Sequence, residues 1–366
     1  MTRRQFIERM LALGLTSTSI AALLETSACA PQSAAPQPTF PPATTKVPPA
    51  ALSTEGGTPG GQQGRQVVLP TATASAKAAA TFTVAPTAGA AATTVAPGKT
   101  YLAVARGDDP AQLARRAVQA LGGMERFVKS GQSVIVKPNI CVAYHGPEYA
   151  ATTNPQVVAE LVKLCREAGA SSVTVMDHPF GGTAEQAYKI SQIGDAVKVA
   201  GGQMMVMSSI KFKETNIPQG KDIKKWPIFQ DALKADVIID VPIAKHHGTT
   251  RLTLAAKNLM GLTENRGSLH ANLGERIVDL YTLFKPKLIV VDAYRMLMNN
   301  GPTGGDLNDV KLAKTLIASH DIVAADAYAT TLFGLKPEAI AYVKAGAERG
   351  FGTLDLKSIK IEEINL

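Results

Sequence analysis

Four hydrophobic stretches each run straight into a charged residue: Ser133–Val136 into Lys137, Ser172–Met176 into Asp177, Val237–Ile239 into Asp240, and Leu288–Val291 into Asp292. Segments of helical periodicity separate them, and alternating strand and helix is the signature of an α/β fold. In an open, mostly parallel sheet the strand carboxyl ends collect on one edge, and ligands bind in the crevice outside it. Core packing alone does not explain charge repeated at that edge. The pattern predicts an α/β domain, a mainly parallel sheet with helices on both faces, with a site along its carboxyl edge.

The helical signals are local. Asn154 is placed to cap a helix whose first residue is Pro155, with Val157, Val158, Leu161, Val162 and Cys165 on one face and Gly169 closing it. Further strands are expected over 99–106, over 204–207 and, briefly, near 316–318. Further helices are expected over 111–121, 229–235, 251–260, 272–283 and 321–332.

The amino terminus reads as an address. Arg3 and Arg4 precede the apolar run Met10–Leu24, the order of features in a twin-arginine export signal. Thr26-Ser27-Ala28-Cys29 is similar to a bacterial lipobox, with Thr26 where a leucine or branched side chain is usual. Cys29 is therefore the expected lipidation site, with a simple cleaved signal peptide as the alternative. Residues 30–98 are dominated by Ala, Pro, Thr, Ser and Gly, and too little apolar surface is present to offset ordering entropy. The expected organisation is a signal over 1–29, a disordered linker over 30–98 and an α/β domain over 99–366. The expected location is the cell envelope, on the outer face of the cytoplasmic membrane, with a lipid holding the chain there.

The net charge of +8 is shared evenly to either side of residue 100, so the domain is only mildly basic. It carries no dense Lys/Arg stripe, which speaks against a nucleic-acid partner and leaves a small anionic molecule as the fitting ligand. The three cysteines, Cys29, Cys141 and Cys165, form no CxxC spacing, so no cysteine-ligated iron–sulfur cluster is expected. Cys141 and Cys165 are expected to be buried free thiols, with a disulfide as the alternative.

The densest polar run is Lys245-His246-His247-Gly248-Thr249-Thr250. In extended chain, neighbours point to opposite sides, so Lys245 and His247 share a direction that His246 does not. Either imidazole has the chemistry of a metal ligand or a proton carrier. Ten residues after His247, Lys257 offers a cation for a carboxylate or phosphate, or a nucleophilic amine if burial depresses its pKa. Asp177-His178 and the following Gly181-Gly182 join a ligand-type pair to a turn open to anions. The candidate catalytic residues are thus His247, Lys257 and Asp177. Candidate substrate-binding residues are Lys137, Asn139, Lys245, Asn258 and Asp292, and the metal candidates are His246, His247 and His178. No HExxH, GxSxG, P-loop or dinucleotide fingerprint is present.

Several of these stretches in order resemble the family known as domain of unknown function 362: Val134–Asn139, Thr152–Pro155, Ala235–Pro242, Lys245-His246, Lys257–Gly261, Val291–Ala293, Gly301-Pro302 and Asp321 to Asp326. Some members carry ferredoxin-type iron–sulfur modules, whose cysteines this chain lacks, so the resemblance implies a redox or cofactor-supplying partner protein. More remotely, Ala235-Asp236, His247 and Lys257 are similar to the core of lactate racemase-type enzymes. That likeness implies a nickel pincer cofactor attached at Lys257, with His247 handling metal or protons. Leu252–Met260 replaces the glycine-rich stretch found there. Two readings remain: a metal- or cofactor-dependent enzyme of isomerase or oxidoreductase type, and a non-catalytic binding protein for an anionic metabolite.

Overall fold

The computed structural model describes residues 101–366; the expected export signal, Cys29 and the expected linker lie outside the described residues. The strands are β1 (Leu102–Arg106), β2 (Ser133–Pro138), β3 (Ser172–Val175), β4 (Gln203–Met204), β5 (Phe212–Asn216), β6 (Lys225–Phe229), β7 (Val237–Val241), β8 (Ile243–His247), β9 (Arg251–Thr253), β10 (Leu288–Leu297), β11 (Val310–Ser319) and β12 (Ile361–Asn365). The main sheet runs β12-β1-β11-β10-β7-β2-β3-β4, with β8 beside β10 and β9 beside β8; β5 and β6 form a separate hairpin. The pairs β1–β12, β10–β7, β10–β8, β2–β7, β2–β3 and β3–β4 are parallel. Only β1–β11, β10–β11 and β8–β9 are antiparallel in that sheet. The fold is α/β with a mixed, mostly parallel sheet.

The central strands are apolar on both faces because helices cover both. Val134, Val136, Val237, Ile239, Leu288 and Val290 join one core with the helices Pro110–Ala120 and Pro155–Glu167. Ile135, Ile238, Ile289 and Val291 join the other, with Leu273–Phe284, Ile322–Thr331 and Ala341–Glu348. This period of two decides where the charged residues point. Lys137 follows Ile135 and Asp240 follows Ile238, so both face the second layer. Among the described residues no helix is long and apolar enough to cross a membrane.

The caps form as their chemistry requires. Asn154 accepts from the Gln156 amide, and Asp321 accepts from those of Val323 and Ala324. Three expectations are corrected. Residues 251–260 are not one helix: β9 pairs with β8, then a single turn, Ala255–Asn258, follows. Thr250, Thr253, Lys257 and Gly261 therefore share no helical face. The segment near Leu316 is a ten-residue strand, and β10 continues to Leu297 as its antiparallel partner.

From β2 the chain steps outward through β3 to β4, then returns to place β7 on the opposite flank of β2 and moves on to β10. Strand order reverses between β2 and β7. Such a switch point is where α/β sheets place their ligand crevice at the strand carboxyl ends, and there Lys137 and Asp240, both buried, sit opposite each other in register.

Candidate functional site

The crevice floor is a buried polar network. Lys137 pairs with Asp177 at 2.7 Å and donates to Asn258 Oδ1 at 3.0 Å and to the Pro138 carbonyl at 2.8 Å. Asp177 also accepts from the amides of Ile140 and His178, at 2.6 and 2.9 Å. Asn258 Oδ1 accepts a second bond from Asn139 Nδ2, while Asn258 Nδ2 donates to Asp240 Oδ1 and to the Lys137 carbonyl. Burial holds the Asp240 carboxyl well above the usual carboxylate range, against the opposing pull of Lys137. Its second oxygen, Oδ2, is buried with no partner. Gly261 closes over the ion pair. A Cβ there would stand 1.9 Å from Asp177 Oδ1 and 2.6 Å from Lys137 Nζ, so only glycine fits.

Strand β8 supplies Lys245, fully buried, whose amine donates to Asn139 Oδ1 at 2.9 Å and to the Ala151 carbonyl at 2.6 Å. Its third neighbour is Cys141 Sγ, 3.2 Å away. His247, two residues on, lies on the same side. Its Nδ1 accepts from the amides of Thr249 and Thr250 at 3.1 and 3.3 Å, which leaves the proton on Nε2. Burial first, then Lys257 and Lys245, push its imidazole down to about 2. His247 is thus a neutral donor through Nε2–H.

Lys257 stands on the turn Ala255–Asn258, whose first amides, those of Ala255 and Ala256, bond to Asp326 at 2.7 and 3.0 Å. Asp326 is fully buried, and burial lifts its carboxyl to about 7. Lys257 itself is partly exposed, and among the described residues its amine finds no hydrogen-bond or ion-pair partner. Desolvation, then Lys245 and other neighbouring cations, push it down to about 7, with Cys141 acting the other way. Arg266 completes the group. Its guanidinium donates to the carbonyls of His178 and Pro179 and lies over the Phe180 ring, at 6.0 Å from the centroid.

The charge balance is lopsided. Lys137 has Asp177, but among the described residues no carboxylate lies within ion-pair distance of Lys245, Lys257 or Arg266. Buried charge is ordinarily paired, so three neighbouring cations with only neutral partners leave room for an anion that the chain does not supply.

Of the residues singled out from sequence, Lys137, Asn139, Asp177, Lys245, His247, Lys257 and Asn258 meet at this crevice. Asp292 does not join them. Its oxygens are taken by the amides of Asn154 and Tyr294, which makes it a strut between β10 and the helix start at Asn154. The metal set is corrected too. His246 Nδ1 accepts from the Gly301 amide on the other side of β8, and among the described residues no group of three His, Cys, Asp or Glu is placed to hold a metal. A metal on Nε2 of His247 requires Nδ1 to carry a proton, yet Nδ1 already faces two N–H donors. His178 Nδ1 is buried without a partner, and burial pushes its imidazole down. A nickel group held by these histidines does not fit. Gly181 and Gly182 also serve packing rather than an anion: a Cβ on Gly182 would lie 2.4 Å from that of Ala143.

Sequence reasoning missed four members. Asp240 was visible as a strand-end charge. Cys141, Arg266 and Asp326 gave no local signal, since each gains its role from a contact far along the chain. Cys141 and Cys165 are both buried free thiols, and burial lifts Cys165 to about 12.

Comparison with known proteins agrees with the family resemblance. Residues 134–331 match the model of the domain of unknown function (DUF362), and the chain belongs to that family. A thylakoid-associated protein of Synechocystis sp. is 28% identical over 249 residues, spanning 64% of this chain and 74% of that protein. The lactate racemase apoprotein of Thermoanaerobacterium thermosaccharolyticum superposes with a TM-score of 0.38 at 13% identity, over 61% of this chain and 54% of that one. This chain therefore spans about half the racemase's length.

Proposed function

We propose that this protein is an exported, lipid-anchored enzyme acting on a small anionic substrate in the crevice between β2 and β7. The observation that carries this reading is the set of three cations, Lys245, Lys257 and Arg266, gathered at a topological switch point with no carboxylate partner among the described residues. A bound carboxylate or phosphate supplies the missing charge. Lys137 is already neutralised by Asp177, so its part is to hold the floor. His247 offers Nε2–H to a substrate oxygen, and Lys257, titrating near neutrality, is able both to hold an anion and to accept a proton. No step is routed through a metal. Arg3-Arg4 and the lipobox-like Thr26–Cys29 support export and anchoring, and the relative's association with thylakoids is compatible with a membrane setting.

Calorimetric titration of the full chain with lactate and with phosphate tests the reading. Saturable binding is expected, weakened about tenfold or more in Lys257→Met, equivalent to roughly 1.4 kcal/mol. No binding of either anion contradicts it. Binding without turnover of any anion assigns the crevice to a receptor instead.

A further inference from the structure

Lys257 differs from the cations around it. Lys245 is tied down by three acceptors and Arg266 by two carbonyls, whereas among the described residues nothing holds the Lys257 amine. Its backbone, by contrast, is fixed: Asp326 caps the turn and Asn258, the next residue, is knitted into the floor by four hydrogen bonds. A rigidly mounted, unpartnered amine at the mouth of a cationic crevice is the arrangement of a nucleophile rather than of a structural charge.

The geometry points to Lys257 forming an imine with a small carbonyl compound that carries an anionic group, of which a 2-oxo acid is the simplest class. This rests on the anion-binding reading above and adds the chemistry. Lys245 and Arg266 attract the carboxylate, which brings the neighbouring carbonyl carbon to the amine. The nitrogen lone pair of Lys257 forms the C–N bond as the carbonyl π pair moves onto oxygen, and that oxygen takes up a proton. The nitrogen loses one proton to give the carbinolamine, whose hydroxyl takes up a second proton. The nitrogen lone pair then forms the second C–N bond as the C–O bond breaks and water leaves, and the iminium sheds its remaining N–H proton to give the imine. No oxidant or reductant takes part. The Nε2–H of His247 is the donor suited to hold the carbonyl oxygen during addition. Burial and neighbouring charge keep about half of the Lys257 amine unprotonated at neutral pH, which the addition requires.

The test treats the full chain with pyruvate and cyanoborohydride at pH 7 and maps reduced adducts by peptide mass spectrometry. Labelling of Lys257 is expected on the order of a thousandfold faster than at an ordinary solvated lysine amine, with the exposed Lys311 and Lys336 as the internal comparison. Lactate, which has no carbonyl, is expected to slow it. Lys257→Arg keeps the charge and removes the nucleophile, so it is expected to bind lactate while losing the adduct. Pyruvate binding with Lys257 unlabelled, or labelled no faster than exposed lysines, overturns the imine and leaves the anion site standing. Failure of both pyruvate and lactate to bind overturns both.

Discussion

Two places among the described residues treat buried positive charge in opposite ways. Midway along the Leu273–Phe284 helix, buried Asp279 accepts from the amides of Lys221, Asp222 and Ile223 and pairs with Arg349 at 2.6 Å. Arg349 also donates to the Gln219 carbonyl. Every strong group there has a partner. In the crevice, Lys245, Lys257 and Arg266 have only neutral partners or none. The same chain is able to neutralise a buried cation completely, so the deficit at the switch point is a property of that site. Structural charge closes on itself; ligand-binding charge is left open.

The contrast breaks most visibly in stability. Asp279→Ala leaves three amides without their acceptor and Arg349 with only the longer Glu275 pair at 3.4 Å, and urea denaturation is expected to show a loss of about 3–5 kcal/mol. Lys257→Met removes a cation that desolvation penalises and nothing among the described residues pairs, so at neutral pH it is expected to cost no stability and to raise it. Equal losses in the two variants would erase the distinction.

Gly261→Ala probes the one paired element of the crevice. The added methyl meets Asp177 Oδ1 and Lys137 Nζ well inside contact distance, so the pair or the backbone must move. A loss of about 3 kcal/mol is expected, with anion binding weakened through the displaced floor. A neutral result would mean that the Lys137–Asp177 pair does not define the site.

Smaller effects separate by pH. The folded pKa of Lys257 lies near 7, below its ordinary 10.5. Its contribution to stability is therefore fully present above about 10.5 and is lost as pH falls through 7. Asp326 is shifted upward from 3.8 to about 7, so its contribution is present below about 4 and is lost as pH rises through 7. Between about pH 8 and 9 Asp326 no longer contributes and Cys165, lifted from 9.0 to about 12, has barely begun to, so the rising slope there belongs to Lys257 and Lys257→Met is expected to flatten it. An unchanged slope would place the Lys257 amine in an ordinary, solvated setting.

These particular residues explain what the sequence made legible. Lys137, Asp177 and Asp240 announced themselves because strand periodicity fixes both the face and the sheet edge of a residue at a strand's end. His247 and Lys245 followed from alternation along one segment. Lys257 was placed on a helix over 251–260 that does not form, because the apolar spacing of 252–260 fits a buried helix as well as the strand and turn that do. Asp292 had the same strand-end signal as Asp177, yet its oxygens go to backbone amides; strand position does not reveal which amides lie nearby. Arg266 and Asp326 act across 88 and 71 residues of chain, and no local pattern encodes such contacts.

The central claim is that an unpaired amine waits for an anion at the crevice, and proton uptake measures it directly. Lactate binding is followed by calorimetry at pH 7 in two buffers of different ionisation enthalpy. If the anion draws the half-neutral Lys257 fully into its charged form, roughly half a proton is taken up per anion bound, and none in Lys257→Met. Binding with no proton uptake in the parent protein, or with the same uptake in both, would contradict it.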